Sequence, residues 1–476
     1  MRGKAGVQMG DLLTLDVAGA AKAILSGSLS PIDLTEHMLE RILLIDPQLK
    51  AYVEVLSDEA RAAARQADAE IRSGQYRGPL HGVPVAIKEL YDVRGVRTRS
   101  GSKVRDDYAA DADAAVVEKL REAGAVILGT TTTYEFAFGF DSPPTRNAWS
   151  IDHIPSGSTG GAAAAVAAGM CLAGIGSDSG GSIRTPAAAN GIAGIKPTYG
   201  RVSKRGITVV SWSLDHPAPM GKCVRDLAIL LEIMSGVDPH DPSTKDVPVP
   251  DYTKALDGDV RGVRIGLPTN YFFDDIQPAV ANALNTAVKR LEKLGAIIVP
   301  IAVPGIDGIV DAWLPIALAE AAVYHQQSLR GKADLYGEDV RMLLEAGELT
   351  LATTYINAQR VRFAWTSALR ETMQAIDVII TPTLPNTAMK VGETMSKIGS
   401  RHETVFEVSA RFCAPFNMAG LPAASIPCGF APDGLPIGLQ IVGKPFDESM
   451  VLRVGHAFEN DTDYHLKRPS LRGLIG

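Results

Sequence analysis

Two segments rich in glycine and serine constrain this chain more than any other part of its sequence. Residues 155–161 read Pro-Ser-Gly-Ser-Thr-Gly-Gly and precede a small-residue run, while residues 176–184 read Gly-Ser-Asp-Ser-Gly-Gly-Ser-Ile-Arg. Glycine lets a backbone approach its neighbours closely, and successive N–H groups in such turns can hold an anion. We interpret the segments as tight turns that bring hydroxyls to an anion-binding backbone. Two ordinary polar turns are the alternative.

Short apolar runs alternate with helical patterns along most of the chain. This alternation is typical of an α/β fold, here a mixed central β-sheet covered by helices on both faces. Strands are predicted at 83–87, 125–128, 171–176, 264–267, 296–299, 377–381, 423–428 and 436–442. Helices are predicted at 113–123, 160–169, 224–235, 278–294, 307–325, 333–346, 351–375 and about 447–459.

The segment before this alternation, at about residues 11–75, has helical patterns. Ser30 and Pro31 form a typical helix start, with a capping side chain followed by proline at the first helical position. Neither a linker nor a repeat divides the sequence. We therefore expect one large domain spanning residues 1–476.

Charge and cysteine content argue against several classes of protein. The chain has 47 basic and 54 acidic residues, a net charge of −7, which disfavours nucleic acid or an anionic membrane as partner. Its cysteines, which are widely spaced and form no CxxC pair, predict neither structural zinc nor a disulfide scaffold. We find no signal-peptide pattern and no apolar run near the ~20 residues that span a bilayer. These features predict a cytoplasmic protein.

Common site motifs do not fit the two glycine-rich segments. A P-loop needs a lysine that neither segment supplies, and Gly157–Gly161 does not follow the dinucleotide-binding pattern. Neither Ser158 nor Ser182 has the glycine spacing of a nucleophile elbow. The histidines lack metal-ligand spacing, so we predict no metal and no other cofactor. A histidine-based triad stays open at this point.

Lys88 ends the predicted strand 83–87 and is the candidate base for a serine nucleophile. Three interpretations are open. It is a surface lysine, the commonest case; it pairs with Glu89 or Asp92; or it is a buried amine with a lowered pKa. Only the third interpretation suits catalysis, and spacing alone does not choose it.

Seven motifs along the chain carry one resemblance, at residues 81–88, 157–161, 178–187, 194–198, 377–382, 416–422 and 434–443. Taken together, they resemble the amidase signature family over roughly residues 25–460. The resemblance implies a Ser–cis-Ser–Lys triad and an amidase signature fold. In that triad Ser182 is the nucleophile, Ser158 is the bridging serine with a cis peptide bond, and Lys88 is the base.

The resemblance also implies supporting roles around the nucleophile. Backbone N–H groups of Ser179, Gly180, Gly181 and Ser182 form the oxyanion hole. Asp178 and Arg184 brace the turn, for which an ordinary structural ion pair is the alternative, and Thr159 keeps a hydroxyl where a second serine is usual. The chain departs from the family pattern at Thr132, Ala148, Ser156, Thr159 and Ala162.

The loop between Gly139 and Asn147 is shorter than is usual in the family and borders the acyl site there. We predict substrate contacts from Tyr134, Glu135 and Phe136. Our hypothesis is that the short loop admits bulky or aromatic groups, lined by the aromatic residues Tyr91, Tyr134, Phe136, Phe138 and Phe140. The alternative is that these rings belong to the core, the commoner location of such residues.

The resulting functional hypothesis is a cofactor-free serine amidohydrolase. It would cleave a small carboxamide, anilide, ester or carbamate (urethane) through an acyl-enzyme on Ser182. One alternative is the A-type subunit of a glutamine-dependent amidotransferase, although Thr350–Arg362 lacks the glycine- and tyrosine-rich run of those subunits. The others are a non-catalytic binding protein and a nitrilase-type hydrolase using Cys171 or Cys428. We expect a small-molecule substrate, no nucleic-acid or membrane partner, and a homodimer as the candidate assembly.

Overall fold

The helices and strands are taken from a computed structural model that describes residues 14–471. The helices are α1 Val17–Leu25, α2 Pro31–Leu49, α3 Ser57–Arg72, α4 Ala115–Glu122, α5 Gly160–Ala167, α6 Arg184–Asn190, α7 Val224–Met234, α8 Pro278–Lys293, α9 Ile309–Lys332, α10 Glu338–Glu348, α11 Ala352–Thr372, α12 Val405–Met418 and α13 Glu448–Asn460. The strands are β1 Tyr52–Val55, β2 Pro84–Lys88, β3 Val126–Thr131, β4 Ala173–Asp178, β5 Ala193–Lys196, β6 His216–Gly221, β7 Arg264–Pro268, β8 Ile297–Ile301, β9 Val378–Pro382, β10 Met395–Ile398, β11 Arg401–Thr404, β12 Ala423–Phe430 and β13 Pro436–Gly443.

One large mixed sheet organises the described residues. Its eleven strands run in the order β1-β3-β2-β4-β6-β5-β12-β13-β9-β7-β8, and β10 and β11 form a separate hairpin. Strand β2 is parallel to β3 and β4, and β7 is parallel to β8 and β9, while the other neighbouring strands are antiparallel. Helices flank this sheet, which confirms the predicted α/β class.

The parallel pairing of β2 with β4 positions the candidate site. Ile87 of β2 lies opposite Ile175 of β4, so Lys88 and the 176–184 segment meet at one edge of the sheet. All five residues of β2 and all six of β4 are buried. Ligands of open α/β sheets bind at the carboxyl ends of parallel strands, and the predicted catalytic residues gather at that edge.

The N-terminal segment differs from its prediction in one respect. Helix α2 begins as expected, with the Ser30 hydroxyl accepting from the Ile32 N–H at 3.0 Å. The segment is not wholly helical, however, because β1 lies between α2 and α3 and pairs antiparallel with β3 at the sheet edge. Four residues are too few for a clear alternating pattern. Residues 11–13 of the predicted segment lie outside the described residues.

Strand β6 was also missed by the sequence patterns, because it contains Pro217 and Pro219. Proline lacks the N–H that a ladder needs, so it argues against a strand flanked on both sides. In the sheet, β5 pairs only with Met220 and Gly221 of β6, whereas β4 pairs along the whole strand. The two prolines therefore have a strand neighbour on one side alone.

Candidate active site

Lys88 lies fully buried among three hydroxyl groups at the carboxyl end of β2. Its Nζ is 2.9 Å from Ser158 Oγ, 3.0 Å from Thr159 Oγ1 and 3.2 Å from Ser177 Oγ. Its side chain has no accessible surface, and no ion pair joins it to Glu89 or Asp92 within residues 14–471. Of the three interpretations of this lysine, the geometry leaves the buried amine.

The surroundings of Lys88 change its protonation. Burial lowers the pKa of Lys88 from 10.5 to about 7, and the carboxylates of Asp215 and Asp178 oppose that shift without cancelling it. Desolvation disfavours a charged ammonium group. A substantial fraction of the amine is therefore neutral at neutral pH and able to accept a proton.

The Ser158 turn connects β3 and its following loop to α5. A cis peptide bond joins Gly157 to Ser158, as the family resemblance implies. The Ser158 carbonyl accepts from Ser142 Oγ at 3.0 Å, and the same hydroxyl accepts from the Gly160 N–H at 2.9 Å. A Cβ at Gly157 would lie 1.9 Å from the Asp141 carbonyl oxygen. That close backbone approach explains why glycine stands before Ser158.

The Ser182 turn, between β4 and α6, is held by a buried ion pair. The Asp178 carboxylate accepts from the Gly181 N–H at 2.8 Å and from Arg184 Nε at 2.9 Å and Nη2 at 2.8 Å. Both side chains are fully buried. Burial alone would raise the pKa of Asp178, but the Arg184 guanidinium outweighs it and holds that pKa well below its usual range. These contacts are those of the predicted brace.

The backbone N–H groups of this turn are not equivalent. Gly181 donates to Asp178, whereas the N–H groups of Ser179, Gly180 and Ser182 have no acceptor among the described residues. Ser182 is 5% exposed, and its hydroxyl makes no hydrogen bond to any residue in the described part of the chain. Of the four predicted oxyanion donors, three are available to a ligand.

Several residues of the site were not singled out from the sequence. Ser177 contacts Lys88 and lies inside the 176–184 segment. Its hydroxyl could therefore have been included among the candidate site residues from the sequence. Asn417 likewise lies in a motif already found, 416–422, whereas Asp215 and Trp313 come from distant segments and carry no local signal. Asp215 Oδ1 accepts from Ser179 Oγ at 2.5 Å, Trp313 Nε1 donates to the Ser179 carbonyl at 3.0 Å, and Asn417 Nδ2 donates to the Asp178 carbonyl at 2.9 Å.

Asp215 is a buried carboxylate that supports the turn from outside it. Burial raises its pKa to about 6, although the hydrogen bond from Ser179 and the N–H groups of Ser211 and Val210 lower it. The N–H of Val210 donates at 2.9 Å and that of Ser211 at 3.1 Å. Asp215 therefore joins the 210–211 backbone to the side chain of Ser179.

Four of the predicted pocket residues, Tyr134, Glu135, Phe136 and Phe138, divide into two groups. Tyr134 and Glu135 line a cavity of about 420 Å³, and the Tyr134 hydroxyl donates to Asp339. Phe136 instead packs on His325, with ring centroids 4.3 Å apart, and Phe138 is buried. For Phe136 and Phe138 the core interpretation is the right one.

Phe140 lies beside the Ser182 turn. A Cβ at Gly180 would lie 2.6 Å from Trp313 Cζ2 and 3.3 Å from Phe140 Cζ. The rings of Phe140, Trp313 and Phe406 are mutual neighbours, with centroids 5.1 to 6.4 Å apart. We call these three residues the aromatic wall. It borders the backbone that carries the available N–H groups.

The described residues offer two further kinds of reactive group. Cys171 and Cys428 are buried, and burial raises the pKa of Cys171 to about 12 and that of Cys428 further. Both thiols are therefore protonated, which disfavours the nitrilase-type alternative.

The ligand atoms of Asp16, Cys223 and Asp226 lie within 4.8 Å of one another. The Asp226 carboxylate accepts from the N–H groups of Val17 and Lys222, each at 2.8 Å, contacts that suit a structural role.

The Asp178–Arg184 pair makes a testable contribution to stability. We expect Asp178→Ala to lower the free energy of unfolding by about 3–5 kcal/mol, because it leaves the Arg184 charge buried without its partner. Urea unfolding measures the change. Asp259→Ala, which removes an exposed partner of Arg261 at 2.7 Å, is the matched control and should leave the midpoint nearly unchanged. Equal midpoints for the two variants would contradict the brace.

Comparison with known proteins extends the likeness over nearly the whole chain. A family model described as Amidase matches residues 33–452. An amidase from Pseudomonas putida is 43% identical over 98% of this chain and 100% of its own length. The A-type subunit of a glutamyl-tRNA(Gln) amidotransferase from Roseiflexus castenholzii is 40% identical over 98% of this chain and 99% of its own.

A solved structure gives the same result at the level of the fold. The X-ray structure of native peptide amidase from Stenotrophomonas maltophilia superposes with a TM-score of 0.82 and 31% identity, covering 94% of this chain and 96% of that one. The structural match therefore extends over the whole α/β fold and is not limited to one motif. This chain belongs to the amidase family, as its motifs predicted. No helix within residues 14–471 is both long and apolar enough to cross a bilayer.

Proposed function

We propose that this protein is a serine amidohydrolase that works through an acyl-enzyme on Ser182. The observation that carries the proposal is the buried, partly neutral amine of Lys88, 2.9 Å from Ser158 Oγ at the sheet edge where the Ser182 turn also lies. An activated nucleophile needs a base within hydrogen-bond reach and a third group that orients the base. Thr159 and Ser177 supply that orientation for Lys88.

The proposed reaction moves one proton through two serines. Lys88 Nζ accepts the proton of Ser158, and Ser158 Oγ accepts the proton of Ser182 as the Ser182 oxygen attacks the substrate carbonyl. A C–O bond forms and the carbonyl electron pair moves onto oxygen. When the tetrahedral intermediate collapses, the C–N bond breaks and the relay returns a proton to the leaving amine. Water then attacks the ester of Ser182 by the same route and releases the acid.

The developing oxyanion is stabilised by backbone N–H groups of the Ser182 turn. Gly180 and Ser182 supply the donors we favour, with Ser179 as a third, because the Gly181 N–H is engaged by Asp178. Pre-positioned donors of this kind act where charge develops in the transition state, and loss of one typically costs about 10²–10³-fold in kcat.

The aromatic wall supports a preference for substrates with an apolar or aromatic acyl group. Carboxamides, anilides, esters and carbamates all present the carbonyl that this chemistry requires, so urethane cleavage belongs to the same proposal. Tyr134 and Glu135 stay proposed substrate contacts on the family resemblance alone, because Lys88, Ser158 and Ser182 are not among the residues that line their cavity of about 420 Å³. The four free, buried cysteines suit the reducing cytoplasm that we propose as its location.

A panel of substrates tests this function directly. We expect mass spectrometry to find an acyl adduct on Ser182 with at least one amide, ester or carbamate, without any partner protein. Adducts only on another residue, or none across the panel, would reject the proposal. A homodimer remains a prediction, which analytical ultracentrifugation measures.

The acyl preference has its own expected result. Phe406→Ala should lower kcat/KM for a benzamide about tenfold relative to acetamide, since an apolar contact of this size is worth about 1–3 kcal/mol in discrimination. Phe363→Ala is the matched control, because Phe363 is 77% exposed on α11. An unchanged ratio in Phe406→Ala, or the same fall in Phe363→Ala, would remove the aromatic wall from the specificity argument.

The amidotransferase alternative keeps one specific observation in its favour, the 40% identity to an amidotransferase subunit over nearly the whole chain. That interpretation predicts glutamine as the amide donor and activity that depends on partner subunits. Turnover of simple amides by the isolated chain favours the free-standing enzyme. Glutamine hydrolysis that appears only with added partner subunits favours the alternative.

A further inference from the structure

We infer that Trp313 is a positioning residue for the oxyanion-binding turn, an inference that rests on the proposed function. Trp313 lies on α9, more than 130 positions along the chain from the turn it contacts, and is 3% exposed. Its indole Nε1–H donates to the Ser179 carbonyl at 3.0 Å. The contact is to backbone, so it acts on the direction of a peptide group and not on a side chain.

The planarity of the peptide bond transmits this contact to the oxyanion. The Ser179 carbonyl and the Gly180 N–H belong to one planar trans peptide group, so they point in opposite directions. Holding the carbonyl oxygen from one side therefore fixes where the N–H points on the other. The Gly180 N–H, which has no acceptor among the described residues, is in this way aimed at the place proposed for the substrate oxyanion.

The neighbouring peptide group is held by the same device. The Asp178 carbonyl accepts from Asn417 Nδ2 at 2.9 Å, which orients the Ser179 N–H. The Ser179 side chain is held in turn by Asp215. Trp313 thus supplies the anchor for the Gly180 peptide in a turn whose other groups are anchored independently.

Gly180 is the point at which such an anchor matters most. Two consecutive glycines give this turn more conformational freedom than any other residue pair would. The indole edge packs so closely that a Cβ at Gly180 would lie 2.6 Å from Trp313 Cζ2. The same side chain therefore limits the glycine backbone by contact and directs its peptide group by a hydrogen bond.

Trp313→Phe separates these two actions, because it keeps an aromatic ring and removes the N–H donor. We expect kcat and kcat/KM to fall together by about 10- to 100-fold, somewhat less than for deletion of an oxyanion donor itself. KM for acetamide, whose acyl group is too small to depend on the aromatic wall that includes Trp313, should stay nearly constant, since equal losses in both parameters indicate an interaction made only in the transition state. 3-Benzothienyl-alanine, incorporated at position 313, is a closer isostere of tryptophan because it keeps the bicyclic ring without the N–H. It should show the same loss.

Trp365 provides a matched control within the same helical layer. It lies on α11, is 4% exposed, and its Nε1 has no hydrogen-bond partner in the described part of the chain. Trp365→Phe removes an indole N–H of the same kind without removing a hydrogen bond. It should keep wild-type kcat, whereas a purely structural effect of losing a buried indole would lower both variants alike.

A tetrahedral-adduct inhibitor supplies a readout that folding does not imitate. We expect a small alkyl boronic acid, whose adduct places a negative charge at the turn, to bind Trp313→Phe weaker by the same factor as the loss in kcat/KM for acetamide. Affinity for an unreactive analogue of acetamide, which is too small to depend on the aromatic wall, should not change. Wild-type affinity of the boronic acid for Trp313→Phe, or an equal loss in Trp365→Phe, would overturn the inference.

Labelling of the wild-type protein keeps this inference separable from the proposed function. A fluorophosphonate probe attached to Ser182 supports the nucleophile independently of Trp313. If Ser182 is labelled and Trp313→Phe turns over like wild type, the positioning role alone fails. If Ser182 of the wild type neither labels nor acylates, the proposed function fails, and the role of Trp313 fails with it.

Discussion

Ser182→Ala is expected to lower kcat by about 10⁴-fold or more, the scale on which loss of a serine nucleophile acts in other hydrolases. The variant should also fail to form any acyl-enzyme detectable by mass spectrometry. No other hydroxyl of the turn is placed to replace Ser182, since the Ser179 hydroxyl is engaged by Asp215. The measurement is single-turnover kinetics on an activated ester, followed by intact-protein mass.

The control for this variant is Ser73→Ala, at an exposed position after α3, which should keep full turnover. Substantial turnover in Ser182→Ala would reject Ser182 as nucleophile. An adduct on Cys171 or Cys428 would support the nitrilase-type alternative, against the high thiol pKa that burial imposes on both.

Lys88→Met is expected to have the second large effect, because methionine fills a similar volume and cannot accept a proton. In the proposed mechanism the wild-type activity depends on the neutral amine, and burial lowers the pKa of Lys88 to about 7. The neutral fraction rises as the pH rises through that pKa. We therefore expect kcat/KM to increase about tenfold per pH unit below pH 7 and to level off above it.

A histidine base would also make kcat/KM rise with pH over nearly the same range. The variants Lys88→Met and His216→Gln therefore decide between a lysine base and a histidine base. Lys88→Met should abolish the acidic limb together with the activity. His216 contacts the Ser182 turn, since its Nδ1 lies 3.2 Å from the Asp178 carbonyl oxygen. Burial lowers its pKa well below the usual value, which disfavours its charged form. His216→Gln should therefore keep the wild-type pH dependence, and loss of the limb in that variant would contradict the lysine assignment.

The parts of the fold that sequence patterns predicted are those with strong local signals. Strands β2, β3 and β4 are short apolar runs bounded by glycine or polar residues, and α8 has regular 3.6-residue spacing. Strand β6 lacked such a signal, because it carries two prolines. The sheet accommodates these prolines only because β5 does not extend beside them. That extent is a property of the sheet and is not written in the local sequence.

The candidate site divides in the same way. Lys88, Ser158 and Ser182 lie in motifs whose residue types suggest chemistry, and the family resemblance related them to one another. Asp215 and Trp313 are single residues in ordinary surroundings, and Asn417 lies in the 416–422 motif without a residue type that suggests chemistry. All three reach the turn only because β6, α9 and α12 pack near it. The burial of Lys88, which decides whether it is a base or a surface charge, also depends on the tertiary structure. It is set by hydroxyls from other segments that surround the amine.

The brace on the Ser182 turn also bears on when this chain becomes active. Besides Asp178, Arg184 binds Gln440 Oε1 at 2.7 Å and Asn417 Oδ1 at 2.6 Å, residues more than 230 positions later. During synthesis, the turn emerges from the ribosome long before these partners exist. Because such non-local contacts form only after the intervening chain has closed, a nascent or truncated chain ending before β13 holds Ser182 without a completed brace. We therefore expect the proposed hydrolytic activity to appear only once the chain through β13 has been made.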